Sequence, residues 1–261
     1  MNIRKIFEML ARGRSLKRHI KVNGLQVPLW VSPDAQLKYL KPGDGSFDGD
    51  LIRIAEKHLS ETSIVWDVGA NVGVFTFAAS AIARSGTVLS VEADCWLATL
   101  LRKTRRLPFY SERDVRILPV AVGAEDSVAQ FQIAARGRAS NSLKEAGGRS
   151  TMGGVRELQY VPTLTLDTLR ATQTAPGFIK IDIDGAELFA LRGGTRLLSE
   201  VRPIFYIEVG RDVSKEVFDL FSGHGYHGFS EEYALLSSNC ASNSFFVPSE
   251  KLDTFRAQIG S

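Results

Sequence analysis

The sequence predicts a doubly wound α/β fold around a mostly parallel sheet that closes with an antiparallel C-terminal strand. Three observations carry that expectation. Short apolar strands alternate with helical stretches of about 10–14 residues, the pattern of a parallel sheet covered on both faces. The apolar strand Ile64–Val68 runs directly into the glycine turn Gly69–Gly73 and then into a helix. The next strand, Thr87–Val91, ends on an acid, Glu92, nineteen residues after Gly73.

The elements follow in order. Val27–Val31 reads as a short strand before the turn Ser32-Pro33-Asp34, and 41–46, dense in turn formers, reads as a loop. Leu51, Ile52, Ile54, Ala55 and Leu59 recur at helical spacing over 48–59. Further helices are expected at 74–83, 94–106, 186–198 and 214–222. Further strands are expected at Arg116–Val120, Val128–Ile133, Leu158–Thr163, Phe178–Ile183 and Pro203–Ile207, and Ser244–Val247 belongs to closing antiparallel strands. Residues 134–156 are polar and glycine-rich and read as an excursion or flap.

With 261 residues and 44% hydrophobic content, the chain can bury a sizeable core. No apolar run approaches the roughly 20 residues that span a bilayer. The first residues lack the continuous apolar stretch of a secretory signal. Cys95 and Cys240 match no zinc or redox spacing and read as reduced thiols of a cytoplasmic protein.

The net charge of +3 hides an asymmetry. Residues 1–21 hold seven Lys/Arg against Glu8, a net +6, so the other 240 residues carry −3. A basic head on a slightly acidic body argues against a nucleic-acid-binding domain. Ile3, Phe7 and Leu10 could form the apolar face of a short basic helix. Such a helix either packs on its own domain or makes a peripheral contact with the inner face of the membrane through residues 1–21.

The strongest local signal is Asp67-Val68-Gly69-Ala70-Asn71-Val72-Gly73. Glycines are needed where the chain turns tightly or lets a ligand approach without a Cβ in the way. A dinucleotide loop would read G-x-G-x-x-G, with its middle glycine admitting a pyrophosphate. Here an acid precedes the loop; it would repel a pyrophosphate and could hold an ammonium group. Glu92 stands where a carboxylate can accept hydrogen bonds from both ribose hydroxyls. A nucleoside carrying an amino-acid end therefore fits. Two other readings use the same sheet: a nicotinamide-dependent oxidoreductase, and a non-catalytic nucleoside-binding adaptor recruited to membranes by the basic head.

Asp67–Gly73, the block Phe178-Ile179-Lys180-Ile181-Asp182-Ile183-Asp184-Gly185-Ala186-Glu187-Leu188 and Leu191-Arg192-Gly193-Gly194 resemble the FkbM family of class I, Rossmann-like methyltransferases. Thr165–Leu169 and Pro119–Gly123 also fit that pattern. The resemblance covers roughly residues 40–248. It implies a methyltransferase domain over 40–261, preceded by a basic helix and short strand over 1–39. It also implies a bacterial O-methyltransferase that uses S-adenosyl-L-methionine on a small-molecule or glycan hydroxyl, of a sugar or a polyketide-type product. By this resemblance Asp67, Gly69, Ala70, Asn71 and Gly73 cradle the methionyl part and Glu92 holds the ribose. Ala121 sits near the adenine, and Asp182 closes the site. Asp184 stands where the family more often has Glu.

A hydroxyl acceptor calls for a base, and candidates belong at the carboxyl ends of the strands. Lys180, Asp182 and Asp184 alternate with isoleucines, so they share one face if the strand stays regular. Asp182 is the first choice for a catalytic contact, Glu208 the second, and Glu187 a third. Asp184 and Glu187 equally fit a helix capping box, with Asp184 as N-cap. Lys180 is read as neutralising the carboxylates, and His224 as a loop histidine. Asp182 and Glu208 could share a hard cation such as magnesium. No third oxygen ligand is clearly placed after Glu208, so a metal-free base is preferred. Asn141-Ser142 reads either as part of a lid or as a surface loop.

Overall fold

The computed structural model describes residues 11–41, 43–135, 137, 138, 141–143 and 154–260. The expected basic helix over the first ten residues, and much of the expected flap, lie outside them.

The chain opens with a hairpin, β1 (Leu16–Val22) and β2 (Leu25–Val31), paired antiparallel from Leu16 opposite Val31 to Val22 opposite Leu25. Asn23 and Gly24 form its turn, both with positive φ (45° and 80°). That is the Asn-Gly signal of a tight hairpin, so the expected lone strand at 27–31 is one arm of a pair. The remaining elements are α1 (Gly49–His58), β3 (Ile64–Val68), α2 (Val74–Ile82), β4 (Thr87–Val91) and α3 (Cys95–Arg105). Then come β5 (Asp114–Leu118), β6 (Ala121–Val122), β7 (Ser127–Ala134), β8 (Ser142–Leu143) and β9 (Val155–Leu164). The C-terminal part holds α4 (Leu166–Thr172), β10 (Phe178–Ile181), α5 (Glu187–Arg192) and β11 (Ile204–Glu208). It ends with α6 (Ser214–Gly223), β12 (Tyr226–Ser230), β13 (Asn243–Pro248) and α7 (Leu252–Ile259).

The main sheet has seven strands in the order β12-β13-β11-β10-β3-β4-β5. Five neighbours, β11 to β5, run parallel, and β13 is antiparallel to both β11 and β12. Alternate residues of each strand enter opposite cores. Val65, Val88 and Phe178 pack on one side with Phe75 and Phe77 of α2; Trp66, Leu89 and Ile179 pack on the other with Leu188 and Leu191 of α5. Burial on both faces explains why these strands read as apolar runs rather than as alternation. The β1–β2 hairpin lays Ile20, Val27 and Leu29 against the α2 side of this core. A second sheet, β6-β9-β7-β8, takes up the strands expected at Val128–Ile133 and Leu158–Thr163, and its edge strand β8 lies within the stretch read as an excursion.

Some boundaries differ from expectation. The strand expected at 116–120 is β5, two residues earlier. The helix expected over 186–198 ends at Arg192, and a π turn occupies Leu197–Val201. The break falls where the backbone passes close to another strand connection: a Cβ on Gly193 would lie 2.3 Å from the Gly123 carbonyl oxygen. Phe178–Ile183 is β-strand only to Ile181, because the chain turns at Asp184 (φ 50°).

One titratable group belongs to the core. His58, at the end of α1, lies among Phe178, Phe245 and Phe255, its ring stacked on Phe255 at 5.2 Å. Its Nε2 is 3.0 Å from the Tyr233 hydroxyl. Burial lowers its pKa to about 4; a hydrogen bond to the Gln258 side chain opposes the shift, and the Lys57 charge adds to it. The neutral ring is therefore the native form. Its contribution to stability is complete above the unfolded pKa near 6.5 and is lost as pH falls from there towards 4. Urea denaturation across that window should lose up to about 3 kcal/mol through this group. His58→Phe should flatten that dependence, and an unchanged slope would remove His58 as its source.

Candidate functional site

The site grows from the carboxyl edge of β3, β4 and β10. After Val68 the chain turns through Gly69 (φ 79°), whose N–H, like that of Ala70, donates to the Val91 carbonyl. A Cβ on Gly69 would lie 1.9 Å from the Asp182 carbonyl oxygen, so only glycine lets the loop pass under β10. Asn71 also has positive φ (53°), and its N–H points at Glu92, Oε2 accepting at 2.7 Å. The other Glu92 oxygen accepts from the Asp94 N–H at 2.8 Å. Each oxygen keeps a lone pair for a further donor.

A cleft of about 610 Å³ opens beside this carboxylate. Its polar lining includes Gly69, Asn71, Glu92, Arg138, Asn141 and Asp182. Leu97, Ala121, Phe131 and Leu143 form its apolar wall. An apolar wall beside a carboxylate is the chemistry a nucleoside calls for. Among the described residues, the side-chain oxygen of Asn71 has no hydrogen-bond partner. Burial pushes the Glu92 carboxyl up to about 8; the Asp94 and Asn71 N–H groups pull it back only in part.

Two further cavities adjoin the cleft, and Asp182 lines all three. One, of about 440 Å³, runs past Tyr39, Ala70 and Phe75. The other, of about 390 Å³, is lined by Asp48, Asp50, Tyr206, Glu208, Glu231 and Asn243 along with Asp182 and Lys180. β10 and β11 are parallel neighbours with Ile181 opposite Ile207, which brings Asp182 and Glu208 side by side. Among the described residues, no group of three or more His, Cys, Asp or Glu is arranged to hold a metal ion.

The structure thus gathers Gly69, Asn71, Glu92, Ala121 and Asp182 around one cleft, with Ala70 and Glu208 on the adjoining cavities. Three expectations need correction. Asp67 does not face the cleft: its carboxylate is fully buried, accepting from Thr76 Oγ1 at 2.6 Å and paired with Lys180 Nζ at 3.2 Å. It orders the loop from beneath rather than offering itself to a ligand ammonium. Gly73 is kept small by packing, since a Cβ there would meet Leu101 of α3 and Phe77 at 2.6 Å. Glu187 is buried too, and its Oε1 accepts from the N–H groups of Gly185 (3.0 Å) and Ile183 (3.3 Å). Burial raises its pKa. It pins the loop carrying Asp182, and its position suits neither acid–base exchange at the cleft nor the expected capping box, because Ala186, not Asp184, is the N-cap of α5.

Lys180 is the cation at the centre. Burial alone would lower its pKa, but Asp67 and Asp182 outweigh it and hold the ammonium charged above its ordinary value. Nζ donates to the Gly69 carbonyl at 2.8 Å and lies 3.5 Å from Asp182 Oδ2. His224 stays in its loop, Nδ1 2.9 Å from the Leu220 carbonyl.

Arg138, in the polar stretch Arg136-Gly137-Arg138, carries no motif that marks it as part of a site. It bridges Asp34 of the β2 exit (Nε–Oδ2 3.1 Å) and Asp94, which caps α3 through the Trp96 N–H. Asn141 donates to the same Asp94 oxygen at 2.9 Å and accepts from the Ala134 N–H at 2.8 Å. Arg156 adds a second ion pair to Asp34. Burial works against Asp34 ionising, but the two arginines prevail and hold its carboxyl below the usual range. This knot fastens the small sheet over the cleft, so Asn141 belongs to a wall of the site rather than to a free surface loop.

A profile of the methyltransferase FkbM domain matches residues 67–227, more than half of the chain. Among solved structures, a methyltransferase FkbM from Methylobacillus flagellatus KT is similar at a TM-score of 0.50 and 18% identity. The match covers 72% of this chain and 44% of that one. The chain therefore spans less than half of that relative's length. The fibrillarin of Aeropyrum pernix, solved with natively bound S-adenosyl-L-methionine, reaches a TM-score of 0.47 at 10% identity, covering 91% of this chain and 86% of its own. Among curated proteins none matches this sequence. The seven-stranded sheet is the Rossmann-like fold of class I methyltransferases, and the chain belongs to the FkbM methyltransferase family.

Proposed function

We propose that the protein is an S-adenosyl-L-methionine-dependent O-methyltransferase that methylates a hydroxyl of a sugar or polyketide-type acceptor. The observation that carries this reading is the shared position of Asp182. It lines the Glu92 cleft and both adjoining cavities, so a donor in one and an acceptor in another would meet at its carboxylate.

The residues fit the cofactor. Glu92 offers two oxygens to a ribose, and Ala121, Phe131 and Leu143 offer an apolar wall to an adenine. When bound, the cofactor supplies an activated methyl group on a sulfonium. The protein's part is alignment and proton management. An alcohol is a weak nucleophile while protonated, so its proton must leave as the oxygen–carbon bond forms. Asp182 is the proposed acceptor of that proton, with Glu208 beside it as the second candidate. Lys180 and the loop pinned by Glu187 keep Asp182 aimed at the junction.

The acceptor side is lined by Asp48, Asp50, Asp182, Glu208 and Glu231, with Lys180 already engaged. Like charges repel, which favours a neutral or cationic acceptor over one carrying phosphate at the reacting end. A nucleic acid is disfavoured for the same reason.

Two experiments test this. Labelled cofactor incubated with a panel of glycans and polyketide alcohols should mark a neutral acceptor, without dependence on a chelator. Asp182→Asn should then lower kcat by at least about 100-fold with KM for the donor little changed. Full turnover in that variant would remove Asp182 from the reaction. For Glu92, two hydroxyl donors favour the ionised carboxylate, so binding should release a proton below pH 8. Calorimetry of S-adenosylhomocysteine in buffers of different ionisation enthalpy reads that release directly. Glu92→Gln should abolish its Glu92-dependent part and weaken affinity about 10- to 100-fold. A variant that binds as tightly as the parent would place the ribose elsewhere.

A further inference from the structure

Two stretches distant in sequence are rich in cations and free of acids. Residues 11–33 hold five Lys/Arg, residues 95–111 hold four, and neither contains Asp or Glu. The fold brings them together. On β1, Ile20 and Val22 face the core, so Lys17, His19 and Lys21 project from the opposite side. Lys17 pairs across the hairpin with Trp30, and Lys103 of α3 sits over the Trp30 ring at 3.4 Å while donating to Ser15 at 2.9 Å. Arg102 and Arg106 are helical neighbours one turn apart beside Lys103, and both are exposed. Among the described residues, none of Lys17, Lys21, Arg102, Lys103 or Arg106 enters an ion pair. Glu56 meets the hairpin at its tip, accepting from the Asn23 N–H.

We propose that this face, the outer side of the β1–β2 hairpin with the C-terminal half of α3, docks the protein on an anionic phospholipid bilayer. Clustered Lys and Arg without acidic partners are attracted to anionic headgroups within a Debye length of the surface. The apolar member of this face is Trp30, opposite Lys17 across the hairpin; Leu25 at the tip, 50% exposed, shares the core-facing side with Val22. Trp30, partly buried between two lysines, supplies an amphipathic ring of the kind found at membrane interfaces. A nucleic acid would also meet the cations, but a nucleic-acid substrate would have to carry its phosphates on to a cavity walled by Asp48, Asp50, Asp182, Glu208 and Glu231. A membrane need not enter that cavity. The proposal stands apart from the identity of the acceptor.

Sedimentation of the full chain with vesicles tests it. The protein should pellet with vesicles containing phosphatidylcholine and phosphatidylglycerol in equal parts, remain soluble with phosphatidylcholine alone, and be released by high salt. Combining Lys17→Glu, Lys21→Glu, Arg102→Glu and Arg106→Glu should weaken the partition at least about 100-fold. Binding of S-adenosylhomocysteine by the same variant should be unchanged, which shows that it is folded and separates this test from that of the cofactor site. Unchanged vesicle binding in the variant overturns the proposal. So does equal sedimentation with neutral vesicles, or tighter binding to an oligonucleotide duplex than to anionic vesicles at the same salt.

Discussion

The site depends on one buried ammonium. Lys180 projects from the central strand β10, 3% exposed, between Asp67 of β3 and Asp182 at its own strand end. A charge removed from water must be compensated nearby, and breaking a buried pair costs about 3–5 kcal/mol because the survivor is left unpaired. Here the compensation does geometric work as well. Strand pairing sets Lys180 directly opposite Asp67, and the same Nζ takes the Gly69 carbonyl. The glycine loop, the strand end and the Asp182 carboxylate are therefore held by a single group.

Around that centre the two sides of the site are built differently. The cleft side has a buried carboxylate, Glu92, and the small sheet is tied across it by the Arg138 bridge between Asp34 and Asp94. Three chain segments must be in place for that bridge to close. The other side is acidic, with Asp182 as the boundary. Such a division suits a reaction in which one partner is always the same molecule and the other defines the specificity.

Much of this was legible beforehand. The strands of the main sheet are buried on both faces, so their composition betrays them. The turn at Gly69 and the acid at Glu92 follow from local backbone needs that glycine and carboxylate meet. The hairpin turn Asn23-Gly24 was also written locally, although only its second strand stood out. By contrast, Asp67, Gly73 and Glu187 have the residue types of a ligand site but serve the scaffold. Residue type alone does not say which way a side chain points. Arg138 gave no signal, because its partners lie more than 40 residues away in sequence.

The sequence by itself determined the sheet, the glycine turn, the acid at the end of β4 and the family, because strand burial and turn geometry are encoded in short stretches of chain. Only the tertiary structure decided which carboxylates face the cleft and which are consumed beneath it. It alone joined the hairpin cations to those of α3, and placed Glu208 beside Asp182. The physical reason is that charge compensation and cavity shape arise from groups that meet through packing, and their spacing along the chain does not record the meeting.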